Sequence, residues 1–156
     1  MFADIRLDAI VGFVPNHNAM NIAEPLALYL SLWKSIAGKS EIPFPGSEDS
    51  YMHFHSNCSQ DQVARFSIFV SLREEKTAGK CYNIADVDHP VSWEMVWPGL
   101  AAYFGLVGVG PTAEGELSGE AWVRSHEDEW KTWETRYGLR EGVVEKTCWG
   151  FMTIVA

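Results

Sequence analysis

The stretch from Ala9 to Trp33, AIVGFVPNHNAMNIAEPLALYLSLW, constrains this chain most. It holds a short apolar run, a polar loop and then a segment that is apolar on nearly every side. Ala9-Ile10-Val11 leading into Gly12-Phe13 reads as a buried strand feeding a loop. Asn21 and Glu24 stand at capping-box spacing and Pro25 falls within the first turn, which predicts a helix from about residue 22 to 36, ending near Gly38. Leu26, Tyr29, Leu30 and Trp33 recur at steps of three and four, and Leu28 and Leu32 widen that face. A helix this apolar must be covered on several sides. A buried strand followed by a buried helix is the middle of an α/β unit, so the chain opens where such a fold has usually already begun.

The remaining segments alternate without an internal repeat. Ile42 to Gly46 is extended by its two prolines and turns at Gly46. Ser59 opens a second helix through about Leu72, with Val63, Phe66 and Val70 on one side and Ala64, Ile68 and Leu72 on another, the pattern of a core helix. Lys80 to Ala85 reads as a second short strand. Ser92 caps a helix to about Phe104, which Pro98 is expected to kink or restart. Residues 107 to 117 read as a loop and the one plausible internal boundary. Ser118 opens the longest helix, where Trp122, His126, Trp130, Trp133 and Tyr137 form a stripe that belongs in a core, with His126 set to meet a neighbouring carboxylate. Val143 to Val155 is apolar. All 156 residues are taken as a single domain.

A net charge of -9 and a pI near 4.9 disfavour partners that are read through phosphates, so no nucleic acid and no anionic membrane surface is expected. No apolar run is long enough to span a bilayer, and no basic segment leads into a signal-like one. Three widely spaced cysteines, Cys58, Cys81 and Cys148, suit free thiols. These features together predict a cytoplasmic protein.

Two polar stretches can carry chemistry. In EDSYMHFHSNC, residues 48 to 58, His53 and His55 flank Phe54 and point the same way if the segment is extended. They read as solvated loop residues, as acid–base groups, or with Cys58 as part of a metal site that would still want a fourth ligand. Asn16, His17, Asn18 and Asn21 form a polar knot beyond a strand's C-terminal end, where open α/β sheets bind ligands, although turn formation and capping account for such residues too. Glu24 is divided between a catalytic carboxylate and a cap, and capping is the reading preferred. Gly105, Gly108 and Gly110 follow a helix rather than a strand, which is the wrong context for a phosphate loop.

The blocks DAIVGFVPNHNAMNIAEPLALYLSLW, IPFPGSE, SQDQVARFSIFVSL, KCYNIADVDHPVSWEMVWPGLAAYFGL and SGEAWVRSHEDEW resemble, in the same order, the C-terminal half of fungal members of the extended short-chain dehydrogenase group that includes progesterone 5β-reductase and iridoid synthase. The resemblance implies a helix-dominated α/β fold, a truncated Rossmann-type remnant with about two core strands and about four to five helices, completed by dimerisation because a two-stranded sheet is marginal alone. In that family a Gly-rich turn binds NADP(H) and a catalytic Tyr and Lys lie upstream of the strand at Ala9, so none of these carries over and no cofactor is expected. Phe13, Val14 and Pro15 match the segment that runs beside the nicotinamide.

The resemblance further implies that the loop from Pro15 to Met20, the segment from Pro45 to His55 and the C-terminal helices surround the substrate, with Phe13, Pro15, Asn16, His17, Asn18 and Met20 in its wall and Trp149 and Phe151 lining either that pocket or an interface. Relatives usually carry Trp at the Tyr51 position and small or hydroxyl residues at His53 and His55, so Tyr51, His53 and His55 become the candidate acid–base set. The expected function is a cofactor-independent isomerase or cyclase of fungal specialised metabolism, acting on a hydrophobic terpenoid- or polyketide-like molecule as a homodimer. The alternatives are a non-catalytic ligand- or partner-binding remnant and the C-terminal part of an NADPH-dependent reductase.

Overall fold

The computed structural model describes residues 2–15, 17–18, 21–112 and 118–150. Within them the chain runs β1 (Asp4–Arg6), β2 (Ala9–Val11), α1 (Ala23–Ile36), β3 (Glu41–Pro43), α2 (Glu48–Met52), β4 (Asn57–Ser59) and α3 (Gln60–Ser71). It continues through α4 (Glu74–Thr77), β5 (Cys81–Asn83), α5 (Trp93–Tyr103), β6 (Val107–Val109), α6 (Gly119–Ser125), α7 (Glu127–Tyr137) and α8 (Val143–Lys146). The strands are short and pair in parallel as β1 with β5, β2 with β4 and β3 with β6. Ile5 stands opposite Tyr82, Ile10 opposite Cys58 and Ile42 opposite Gly108. Parallel partners cannot be joined by a tight turn, so each pair is connected by helix-bearing crossovers, the Rossmann-type pattern.

The core is organised around α1. Seven of its residues, Pro25, Leu26, Leu28, Tyr29, Leu30, Leu32 and Trp33, are buried, as an all-round apolar helix requires. Its two polar-tipped aromatics are satisfied on β3: the Tyr29 hydroxyl donates to the Pro43 carbonyl at 3.0 Å and Trp33 Nε1 to the Glu41 carbonyl at 2.8 Å. Trp122 of α6 meets both rings, at centroid separations of 5.6 and 4.9 Å. On the other side Trp97 of α5 is fully buried and donates to the Ile42 carbonyl at 3.3 Å. β6 lies so close to α5 that a Cβ on Gly108 would sit 2.9 Å from both Cδ1 and the carbonyl oxygen of Trp97. Gly108 therefore serves strand–helix contact, which accounts for a glycine that the phosphate-loop pattern does not explain.

Several elements depart from the sequence expectations for identifiable reasons. Residues 107 to 109 are strand, not loop, because β3 offers its edge. The stretch expected to be extended around Tyr51 starts as α2, since Ser47 accepts from the Ser50 amide at 3.2 Å and Glu48 and Asp49 lie in the first turn. α5 is continuous through Pro98. The helix expected from Ser118 divides at His126, whose backbone leaves the helical region at φ -117 and ψ 26. His126 Nδ1 lies 2.8 Å from the Trp122 carbonyl and 3.0 Å from the Ser125 hydroxyl, so its partners are a carbonyl and a hydroxyl rather than a carboxylate. α3 is less buried than expected. Only Val70 is fully covered, while Ile68, Phe69 and Leu72 face outward. Among the described residues no helix is long and apolar enough to cross a membrane.

Candidate functional site

The loop that follows β2 returns to the first turn of α1 and brings a compact polar cluster with it. Asn21 Oδ1 accepts from the Ala23 and Glu24 amides at 3.1 and 3.4 Å, which caps α1. Glu24 does not complete a capping box. Its Oε2 accepts from Asn21 Nδ2 at 3.3 Å, and its Oε1 lies 2.7 Å from His17 Nδ1. The same Oε1 lies 2.8 Å from the Thr147 hydroxyl, which also stands 2.7 Å from the Val143 carbonyl. A hydroxyl has one proton, so Thr147 serves one of these acceptors at a time. His17 holds φ at 43°, a left-handed conformation uncommon outside glycine and found where the surroundings over-determine it.

The consequence is a defined tautomer. A carboxylate only accepts, so the proton between His17 and Glu24 belongs to Nδ1, and in the neutral imidazole the lone pair lies on Nε2. His17 Nε2 is buried and has no hydrogen-bond partner among the described residues. An imidazole held by a carboxylate on one nitrogen and unsatisfied on the other is the base-and-orienter arrangement of acid–base catalysis.

His17 and Glu24 line a cleft of about 430 Å³ together with Asn21, Gly12, Ala23, Phe13, Val14, Val143 and Arg140. Its volume lies within the roughly 300–1,000 Å³ of organic-ligand sites. Phe13 is 78% exposed, an apolar ring held in water at the end of a strand. Arg140 donates from Nη1 to the Pro15 carbonyl at 2.7 Å, joining the loop after α7 to the loop after β2. A larger depression of about 730 Å³ lies at the ends of β1 and β5 and is lined by Arg6, Asp8, Asp86, Asp88 and His89 among others. Its polar groups are already engaged: Arg6 with Asp4 at 2.7 Å, His89 with Asp88 at 2.7 Å, Asp8 with the Ser56 amide at 3.1 Å and Asp86 with the Ser59 amide at 2.9 Å. The smaller cleft combines apolar walls with the His17–Glu24 pair and is the stronger candidate.

Of the residues singled out from sequence, Phe13 and His17 line the cleft, Pro15 ties it to Arg140, and Asn18 belongs to the loop, its carbonyl accepting from the Asn21 amide at 3.0 Å. Asn16, Met20 and Phe151 lie outside the described residues. Trp149 is buried in the core cluster. Tyr51, His53 and His55 are not among the lining residues of the cleft. Tyr51 packs on Phe44 at 5.2 Å, and burial, reinforced by the Glu94 and Glu48 carboxylates, pushes its phenol pKa up. His53 is exposed at the end of α2, whereas His55 is half-buried 5.3 Å from Trp93, where burial pushes its pKa down. Cys58 is fully buried, its thiol raised by burial and by Asp86. Among the described residues no group of three His, Cys, Asp or Glu converges as a metal site. Thr147, Arg140 and Val143 were not visible as site residues in sequence, and Glu24 was legible only through its spacing to Asn21.

Parallel strand pairs joined by helical crossovers, with a ligand cleft where a strand ends and its helix begins, define a Rossmann-type protein. Residues 1–154 match the family described as PRISE-like Rossmann-fold domain, and the chain belongs to that family. It is 32% identical over 151 residues to the short chain dehydrogenase sirQ of Leptosphaeria maculans, covering 96% of this chain and 38% of sirQ. The short chain dehydrogenase ausT of Aspergillus calidoustus is 31% identical over 154 residues, covering 97% of this chain and 37% of ausT. A second Leptosphaeria maculans protein, the short chain dehydrogenase sirR, is 32% identical over 167 residues, covering 99% and 41%. The chain thus spans about two-fifths of the length of these fungal relatives.

The short-chain dehydrogenase fold implies NADP(H), and the described residues do not fit it. A dinucleotide cradle needs a strand entering a Gly-rich turn whose amides face a pyrophosphate. After β2 the single Gly12 is closed off by Gln60, whose side chain would lie 2.3 Å from a Cβ there, and Gly108 is packed against Trp97. No hydride step is derived through these residues.

Proposed function

We propose that this chain is the substrate-handling part of a short-chain dehydrogenase-type enzyme and that its own residues perform acid–base rather than redox chemistry on a hydrophobic biosynthetic intermediate, as an isomerase or cyclase. The observation that carries this reading is the 2.7 Å His17–Glu24 contact with the opposite imidazole nitrogen buried and without a partner among the described residues. A guest resting on Phe13 and Val14 presents a carbon acid to His17 Nε2. The proton passes to that nitrogen, the electron pair moves into the adjacent carbonyl as an enolate, and Glu24 stabilises the imidazolium. Return of the proton to a different carbon shifts a double bond, and attack by the enolate on a second electrophilic carbon closes a ring. Neither outcome changes the oxidation state, and orientation in the cleft supplies the rest of the rate.

The base in this reading is His17, in preference to His53 and His55, which are not among the described lining residues of the cleft. Pro15 and Asn18 shape the loop that carries it. The chain works as a homodimer that covers the outer side of α3 and the open strand edges. The test is wash-in of solvent deuterium into a panel of apolar, enolisable ketones and enones with nucleotide absent. His17→Gln is expected to slow exchange by about a hundredfold, the lower range for a general base, with thermal stability retained. Exchange that is unaltered in His17→Gln removes the reading.

A second reading is favoured by the family match and the partial coverage of the relatives: this surface is the substrate wall of an NADPH-dependent reductase and acts beside a dinucleotide-binding domain. Turnover that appears only when NADPH and a dinucleotide-binding domain are supplied together with this chain selects that reading over the first.

A further inference from the structure

We infer that the guest of the His17 cleft is an apolar molecule carrying one carboxylate, and that Arg140 is the residue that selects it; this deepens the acid–base reading and rests on it. Arg140 is the one Arg or Lys among the described lining residues. Its contact with the Pro15 carbonyl uses one of five N–H donors and ties the guanidinium to the loop after β2. Among the described residues Arg140 forms no ion pair with a carboxylate.

The carboxylate in the same cleft does not serve it. Glu24 is already met by His17, Asn21 and Thr147, so its oxygens are directed to donors of the loop before α1 and of the segment after α8. In a chain with a net charge of -9, Arg140 stands beside Phe13, Val14 and Val143 without a carboxylate partner among the described residues. A planar fork with spare donors beside an apolar wall matches a carboxylate on a hydrophobic body, since Arg binds carboxylates through two parallel hydrogen bonds. A neutral guest of the same shape would leave the guanidinium unanswered. An anionic end on Arg140 also orients the guest, which is what places one particular carbon near His17 Nε2.

The test uses decanoate and decan-1-ol, a carboxylate and its neutral counterpart, bound to the full chain and followed by calorimetry at neutral pH. Decanoate is expected to bind at least about tenfold more tightly than the alcohol, the scale of one hydrogen-bonded charge pair. Arg140→Gln removes that preference while leaving decan-1-ol affinity unchanged, and Arg140→Lys restores part of it, because an ammonium keeps the charge and loses the fork. Equal binding of the two probes by the parent chain, an equal loss of both in Arg140→Gln, or no binding of either overturns the inference. The deuterium-exchange result for His17→Gln is read separately, so loss of carboxylate selectivity and loss of the acid–base role are distinguishable.

Discussion

At the scale of single residues, His17 and His55 show how one side-chain type is put to different uses by its surroundings. Both have a buried Nε2 without a partner among the described residues. His17 is held on its other nitrogen by Glu24, at 2.7 Å, while His55 lies against the ring of Trp93 and its ring meets the backbone of His53 rather than a carboxylate. The account therefore expects the Nδ1–H tautomer for His17, and nitrogen chemical shifts in a histidine-labelled sample report it; an Nε2–H tautomer would contradict the assignment of the base. For His55 the expectation concerns stability. Burial lowers its pKa in the folded chain below the ordinary value of 6.5, so the unfolded chain binds more protons in that window. Its contribution is present above about pH 6.5 and is lost as pH falls toward the lowered folded value. A denaturation series across mildly acidic pH should show falling stability in the parent and a flatter profile in His55→Gln. An identical slope in the two would show that burial of this ring is not what the acid limb reads.

At the scale of elements, contacts between neighbours in space decided what local pattern left open. α1 was legible because its apolar positions, its cap at Asn21 and Pro25 in the first turn all agree. β2 and β5 were legible as short apolar or mixed runs between turns. β6 was not, because Val107-Gly108-Val109 is strand only by virtue of its pairing with β3 and its close packing on α5. α2 has a helix start in Ser47-Glu48-Asp49, but it is only five residues long and the alternation His53-Phe54-His55 that follows it fits an extended segment equally well. The close approach at Gly108 has a measurable consequence. Gly108→Ala puts a methyl group 2.9 Å from a backbone carbonyl that cannot swing aside, and overpacking of that kind costs about 1–3 kcal/mol. Thermal denaturation should show a clear fall in Tm for Gly108→Ala, whereas Gly99→Ala, where a Cβ would meet nothing within 4 Å, should leave it near the parent value or raise it.

At the scale of the whole molecule, the ordered sequence blocks and the parallel strand pairs agree on a PRISE-like Rossmann chain, and five family-like blocks were enough to read that much. The candidate site was only half legible. Phe13 and His17 lie in one loop and could be found there. Thr147 reaches Glu24 from 123 positions away and Arg140 reaches Pro15 from 125, and no local pattern announces such pairs. Assembly is a further expectation at this scale. Two-stranded sheets leave open edges, and Ile68 and Phe69 of α3 and Leu72 at its end are exposed, so a second copy that covers these surfaces is expected to bury at least about 1,000 Å². Sedimentation at micromolar concentration checks this, and a stable monomer would contradict it.

The central claim is that the chemistry of these residues moves protons and leaves oxidation state alone. Mass spectrometry of products formed from enolisable apolar acids by nucleotide-free protein tests it most directly. The account predicts a product isomeric with its substrate, formed equally well without and with NADPH and lost in His17→Gln. A product that appears only with NADPH, heavier by one hydride and one proton, would contradict it.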